Sequence, residues 1–416
     1  MSHIQRLALS FMLLVSYQLL QPASLLGWQQ NPPSGDVWVS AYLASYNHYV
    51  PPGGNWGHMP TEAIDWDAFT HLFYFAFNVQ PDGTLSKVAP YQNMNPDRLN
   101  SIVSAAHEAG KPVLFTIGGW GNHDQFTEAI TPEKRPVLIQ NLIQTLKTWQ
   151  FDGIDLDLEP IEDADLENYG AFIDELHREL QSLQTPLLSV PLLTAAVNAQ
   201  PEFFARVQAK FDQINLMTYD LSGAWGGWVS WHNAAVYSSR NFPYHDKPLP
   251  STDRMVKEFL SAGIPASKLG IGIDFYGYVW SGGSGTSTRG VTRPNQSWIK
   301  APKVTDNVPF HKIMDEYAPS GSYSWDDEAK AAYLSIDRPG SADDLFISFD
   351  DEQSIRAKFE YVEENKLGGV IIWELTGGYR ANLPPGQRDL LLQAVKDVAN
   401  EHTVTNTSYR SPTGRE

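Results

Sequence analysis

The sequence contains no cysteine in 416 residues. That excludes a disulfide framework, a thiolate metal site and a cysteine-linked lipid anchor. Basic residues are also scarce: 30 Lys and Arg stand against 48 Asp and Glu, for a formal net charge of −18. Such a surface disfavours nucleic acid and anionic membranes as partners and suits a neutral or cationic substrate. Long apolar runs are nearly absent. The one candidate lies in MSHIQRLALSFMLLVSYQLLQPASLLGW, where Arg6 precedes Leu7 to Leu20, interrupted by Ser10, Ser16, Tyr17 and Gln18. It is too short and too broken for a bilayer span of roughly 20 residues. It does suit a secretory signal, taken here as residues 1–30. Export without disulfides fits a bacterial pathway, to the extracellular space or the periplasm, with no membrane attachment once the signal is removed.

Aromatic residues, by contrast, are plentiful. Thirteen Trp and 18 Tyr exceed what a core needs, so some should line a binding surface. Length alone allows one large domain or two ordinary ones. Short apolar segments recur at 37–45, 71–79, 111–120, 151–159, 187–197, 212–220, 268–277 and 368–375. Their near-continuous hydrophobicity is that of parallel strands covered on both faces. Helical patterns separate them. At 164–181, Leu166, Tyr169, Phe172 and Leu176 recur at helical spacing. The segment 251–263 opens on a Ser/Thr cap and stops at Gly263, and 350–369 carries Ile355, Phe359 and Val362 on one face. Eight alternating units predict an α/β (β/α)8 barrel, with a doubly wound open sheet as the alternative. Residues 276–345 are too long for a bare loop. Their aromatic content predicts a small inserted α+β domain between the seventh strand and seventh helix. The barrel thus divides into 31–275 and 346–401, and the polar residues 402–416 read as a flexible tail.

One strand poses a chemical problem. In FDGIDLDLEP, residues 151–160, Asp155, Asp157 and Glu159 alternate with Leu156 and Leu158. Side chains alternate across a strand, so the leucines should face the helices and the three acids the barrel interior. Second neighbours on a strand lie about 6.6 Å apart. Three acids that close, poorly solvated, raise one another's pKa until at least one holds a proton near neutrality. A protonated carboxylic acid is what general-acid catalysis requires. The run lacks the glycine and oxygen-rich turn of a calcium loop, so no metal and no cofactor are expected. Asp152 has the opposite parity and reads as structural.

The motif Asp152, Asp155, Asp157, Glu159 resembles the D-x-x-D-x-D-x-E signature of the family 18 glycoside hydrolases, the chitinases and their relatives. FTIGGW (115–120) resembles that family's S-x-G-G strand, with Thr116 in place of serine. NLMTYDLSGAW (215–225) is similar to its M-x-Y-D strand, and GGVIIWEL to its last strand, with Trp373 as the tryptophan. YSWDDEAKAAYL (323–334) and LFISFDDEQSI (345–355) resemble its chitinase insertion domain. Two departures, Leu158 and Pro160 where many relatives carry aromatics, bear on the groove beside the cleavage point.

The resemblance implies a set of roles. Glu159 is the acid/base, and the substrate's 2-acetamido carbonyl is the nucleophile, as the substrate-assisted exception among retaining glycosidases. Asp157 orients the acetamide, and Asp155 sits behind it with help from Thr116. Tyr219 and Asp220 hold the acetamide, and Trp373 floors the distorted sugar with Met217 beneath. Trp120 stacks on the leaving-group side, Tyr42 and Phe77 form inner walls, and Gly118 and Gly119 border the substrate. At least one of Trp225, Trp228 and Trp231 should reach the groove. The expected partner is chitin or a chito-oligosaccharide, bound by a monomer. The rival readings are an endo-β-N-acetylglucosaminidase acting on N-glycans and a sugar-binding protein without hydrolytic activity.

Overall fold

A computed structural model describes residues 37–48, 59–86, 96–239, 248–338 and 343–408. The signal segment expected at 1–30 lies outside them. Eight parallel strands form the centre: β1 (Trp38–Ala44), β2 (His71–Val79), β3 (Val113–Gly118), β4 (Gly153–Asp157), β5 (Leu192–Val197), β6 (Gln213–Leu216), β7 (Leu269–Asp274) and, near the end of the chain, β13 (Gly369–Trp373). Each pairs with its neighbour in parallel register, and β1 pairs with both β2 and β13, so the sheet closes on itself. Every strand lies inside a segment picked out by its hydrophobicity. The fold is the (β/α)8 barrel.

Alternation along these strands divides two cores. Leu156 and Ile154 of β4 join Phe115, Ile117 and Ile214 in the layer between sheet and helices. Leu158 joins the same layer. The inward residues Tyr42, Phe73, Leu114, Leu192, Met217, Tyr219 and Ile371 form a separate interior cluster, with Phe75 and Trp373 packed against it. The outer helices have the expected chemistry. Leu166–Leu180 buries Tyr169, Phe172, Ile173 and Leu176. Thr252–Ser261 is capped by Ser251, whose side chain accepts from the Arg254 N–H. Glu352–Glu364 starts in a reciprocal capping box between Asp351 and Ser354.

Between β7 and the next helix the chain builds a five-stranded antiparallel sheet. Its strands are β8 (Tyr276–Ser281), β9 (Lys303–Pro309), β10 (Ser322–Asp326), β11 (Ala331–Ile336) and β12 (Leu345–Phe349), in the order β9-β8-β12-β11-β10. β12 pairs along its whole length with both β8 and β11, so the sheet extends past residue 345, where the return to the barrel was expected. The last helix, Leu390–Ser408, likewise runs into the stretch read as a flexible tail.

Candidate active site

The acids of β4 form a column. Asp155 is fully buried at its base, and the three hydroxyls of Tyr42, Thr116 and Thr194 donate to it at 2.9, 3.0 and 2.6 Å. Register places these donors, since Thr116 and Thr194 are the direct cross-strand partners of Asp155 on β3 and β5. Burial lifts the Asp155 pKa from 3.8 to about 6, and the hydroxyls hold it from rising further. Asp157, one step up, is raised well above the ordinary range by burial and by the charges of Glu159 and Asp155. Its Oδ1 has no hydrogen-bond partner among the described residues. Glu159 follows at the carboxyl end of the strand, half-buried. Burial, then the negative charge of Asp220, pushes its pKa up to about 7, partly offset by hydrogen bonds to Asp157 and the Trp120 backbone. The sharing of a proton along this column near neutrality follows.

Asp152 works elsewhere. It accepts from the Val113 N–H at 3.0 Å, His107 at 2.7 Å, the Thr185 hydroxyl at 2.7 Å and the Leu187 N–H at 3.2 Å, tying the base of β4 to its surroundings.

Around the column, Tyr219 is buried, with its phenol held neutral by burial and by the charges of Asp157 and Asp220. Met217 belongs to the same interior cluster. Trp373 stands over it, with ring centroids 4.6 Å from Phe75 and 5.4 Å from Tyr42. The next residue, Glu374, is fully buried and fixes this strand end to β1, accepting from the Ala44 N–H at 3.1 Å and the Asn47 amide at 3.2 Å. Trp120 is 83% exposed and Trp225 51% exposed, with Trp228 5.1 Å from Trp225, whereas Trp231 is fully buried. Of the three tryptophans after β6, Trp225 is thus the most exposed, Trp228 is half-buried and Trp231 is closed off.

Several expected contacts fall differently. Phe77 faces outward, against Phe115 at 5.4 Å and Phe151 at 6.2 Å. The pairing of β2 with β3 shifts between Tyr74 and Phe77, which reverses the parity of every later residue and leaves Phe75 as the inner wall. Thr116, fully buried, donates to Asp155 as the resemblance implied, and the Tyr42 hydroxyl, in a side chain only 1% exposed, is likewise taken up by Asp155. Gly118 and Gly119 are buried at positive φ. A Cβ would meet the Asp157 carbonyl oxygen at 2.1 Å in the first and the Phe75 ring at 2.6 Å in the second. Their contribution is room for the column.

Three participants escaped the sequence reading: Thr194, Tyr276 and Tyr278. The Tyr276 hydroxyl donates to Asp220 Oδ1 at 2.6 Å, and Tyr278 also donates to this carboxylate. Alternation could have found all three. Thr194 has inward parity on β5, and Tyr276 and Tyr278 continue the inward parity of β7.

Residues 40–378 match the sequence profile of the glycosyl hydrolases family 18. A chitinase-like effector from Moniliophthora roreri is 26% identical over 400 residues, covering 84% of this chain and 91% of that protein. Chitinase B of Serratia marcescens is 26% identical over 336 residues, 65% of each chain. The chain spans only 42% of chitinase A1 from Niallia circulans. Among solved structures, the group IV chitinase of Ostrinia furnacalis in complex with allosamidin superimposes with a TM-score of 0.72 at 25% identity, covering 88% of this chain and all of that one.

Proposed function

We infer the reaction from one premise: the chain belongs to the glycosyl hydrolases family 18. The reading is a secreted chitinase that cleaves β-1,4 N-acetylglucosamine linkages with retention. Glu159 protonates the glycosidic oxygen. The acetamido carbonyl of the substrate attacks the anomeric carbon, and the bond to the leaving sugar breaks. Glu159, now a carboxylate, takes a proton from the water that opens the oxazolinium ion. Asp157 accepts from the acetamide N–H and steadies the positive charge, a role its unpartnered Oδ1 suits. Asp155 backs it. Tyr219 donates to the acetamide oxygen, Trp373 floors the sugar, and Trp120 and Trp225 carry neighbouring sugars. The antiparallel sheet, an inserted domain in this reading, raises one wall of the groove.

A single observation carries this: a half-buried glutamic acid at the mouth of the barrel, with its pKa near 7 and two buried aspartates beneath it. Glu159→Gln should lower hydrolysis of chitin hexamer by about 10²–10⁴-fold or more while preserving oligosaccharide binding, measured by calorimetry. Substantial residual turnover would remove Glu159 from the role. Cello-oligomers, lacking the acetamide, should resist cleavage, and the β-anomer should appear first. The same variant addresses the binding-only reading: a protein that only binds would lose nothing on Glu159→Gln.

A further inference from the structure

The β6 ladder ends at Leu216, yet Tyr219 and Asp220, adjacent in sequence, both lie within electrostatic reach of the acid column. Two neighbours on a regular strand cannot face the same way. Asp220 achieves it with a left-handed backbone, φ 57°, which a non-glycine residue holds only when its surroundings fix it. The fixing group is Asn233. Its Oδ1 accepts from the Asp220 N–H at 3.1 Å, and its backbone carbonyl accepts from the Leu221 N–H at 3.0 Å. On its other side, Asn233 Nδ2 donates to Asp274 in a short contact. Asp274 and Asp350 are buried together against Lys358, whose Nζ bonds Asp350 and the Gly272 carbonyl, the latter at 2.9 Å. The Asn233 N–H donates to Ser348 on β12 at 2.8 Å. One amide therefore joins the end of β7, the antiparallel sheet and the turn that presents Asp220.

We propose that Asn233 is a positioning residue for the reaction: it fixes the Asp220 backbone from behind, and with it the carboxylate that Tyr276 and Tyr278 hold from the front near Glu159. This rests on the hydrolase reading above and deepens it. The groups facing Glu159 are Asp157 on β4, Asp220 and Tyr219 after β6, and the Trp120 backbone after β3. Those facing Asp220 are Tyr276 and Tyr278 on β8 and Asp306 on β9. Every charge in that set is negative, so the placement of Asp220 sets how firmly Glu159 keeps its proton. A carboxylate released from its clamp moves away from Glu159 or takes up a proton itself. Either change lowers the Glu159 pKa toward its ordinary value.

The test is the pH profile of kcat/KM on chitin hexamer, with kcat and KM separated, for wild type, Asn233→Ala and Tyr278→Phe. Asn233→Ala should lower kcat by about 10- to 100-fold, the scale of a small misplacement, with little change in KM. Its alkaline limb should move to lower pH. Tyr278→Phe keeps the ring and removes one hydroxyl, so folding is safe. The same limb should move in the same direction by a smaller amount. A lowered melting temperature in Asn233→Ala, with both alkaline limbs left at the wild-type pH, would make Asn233 a packing residue and overturn the proposal. A wild-type protein that cleaves no chito-oligomer would overturn the hydrolase reading instead.

Discussion

Two buried acidic clusters sit in this barrel, and they are neutralised by different means. Asp274 and Asp350 share Lys358, an ammonium as buried as they are. Among the described residues, the column of β4 is given hydroxyls, a backbone N–H and its own protons. The charges that move its members are other carboxylates. A cation would stabilise the ionised acids and draw their pKa values down. It would also disfavour the protonated Glu159 on which the proposed reaction rests. On that proposal, the lysine-bearing cluster holds structure and the column keeps a proton available.

The sharpest way to break this comparison is to remove the cation from the first cluster. Burial and the Asp350 charge hold Asp274 well above its ordinary value even against Lys358, so Lys358→Met strips the pair of its buried cation and should cost about 3–5 kcal/mol of stability, read by thermal unfolding. A variant as stable as wild type would mean that the lysine is not what balances the pair. Next is the converse change in the column. Asp157→Asn should leave the melting temperature unchanged or raise it, since a buried acid is replaced by a neutral isostere. It should lower kcat by about 10²–10³-fold, the usual loss for one preorganised electrostatic contact.

The third test uses pH. Asp155 and Glu159 have folded pKa values of about 6 and 7, above their ordinary 3.8 and 4.5. A raised acid binds more protons folded than unfolded, so its contribution is full below the unfolded value and is lost as pH rises through the folded one. Stability should therefore decline between about pH 4 and 7 on their account. The drop in melting temperature from pH 5 to pH 8 should be smaller in Glu159→Gln, by about 2 °C. An identical drop in the two proteins would show that Glu159 titrates normally. The smallest effect is expected from Thr194→Val, which removes one of three hydroxyls from Asp155 at about 1 kcal/mol. Melting curves beside kinetics would separate that loss from any change in turnover.

What could be read from the chain alone follows the same division. The eight strands were visible because burial on both faces makes each a dense apolar run, and the acid column because leucines at alternate positions fix its parity. Parity also failed where its premise failed. Phe77 lies beyond a register shift in β2 that no single-sequence pattern announces. Asp220 breaks alternation through a left-handed turn, and only the resemblance of MTYD pointed to it. Tyr276 and Tyr278 fall inside 276–345, whose aromatic content reads as packing for an insertion, although the inward parity of β7 continues through them. The bond from the Tyr42 hydroxyl to Asp155 is invisible in the sequence, since burial depth is a property of the closed barrel and not of one strand.

That closure sets a condition on when the protein can become active. Trp373 meets Tyr42 of β1 through its ring, and the latch Glu374 meets β1 across 330 positions of chain, through the hydrogen bond from the Ala44 N–H. Until the ribosome has released the last strand, the first has an open edge and the column is exposed to water. Glu159 then titrates as an ordinary surface acid. A nascent or truncated chain lacking β13 has all its reacting carboxylates and still cannot hold the proton, so activity should arrive in one step with completion of the ring.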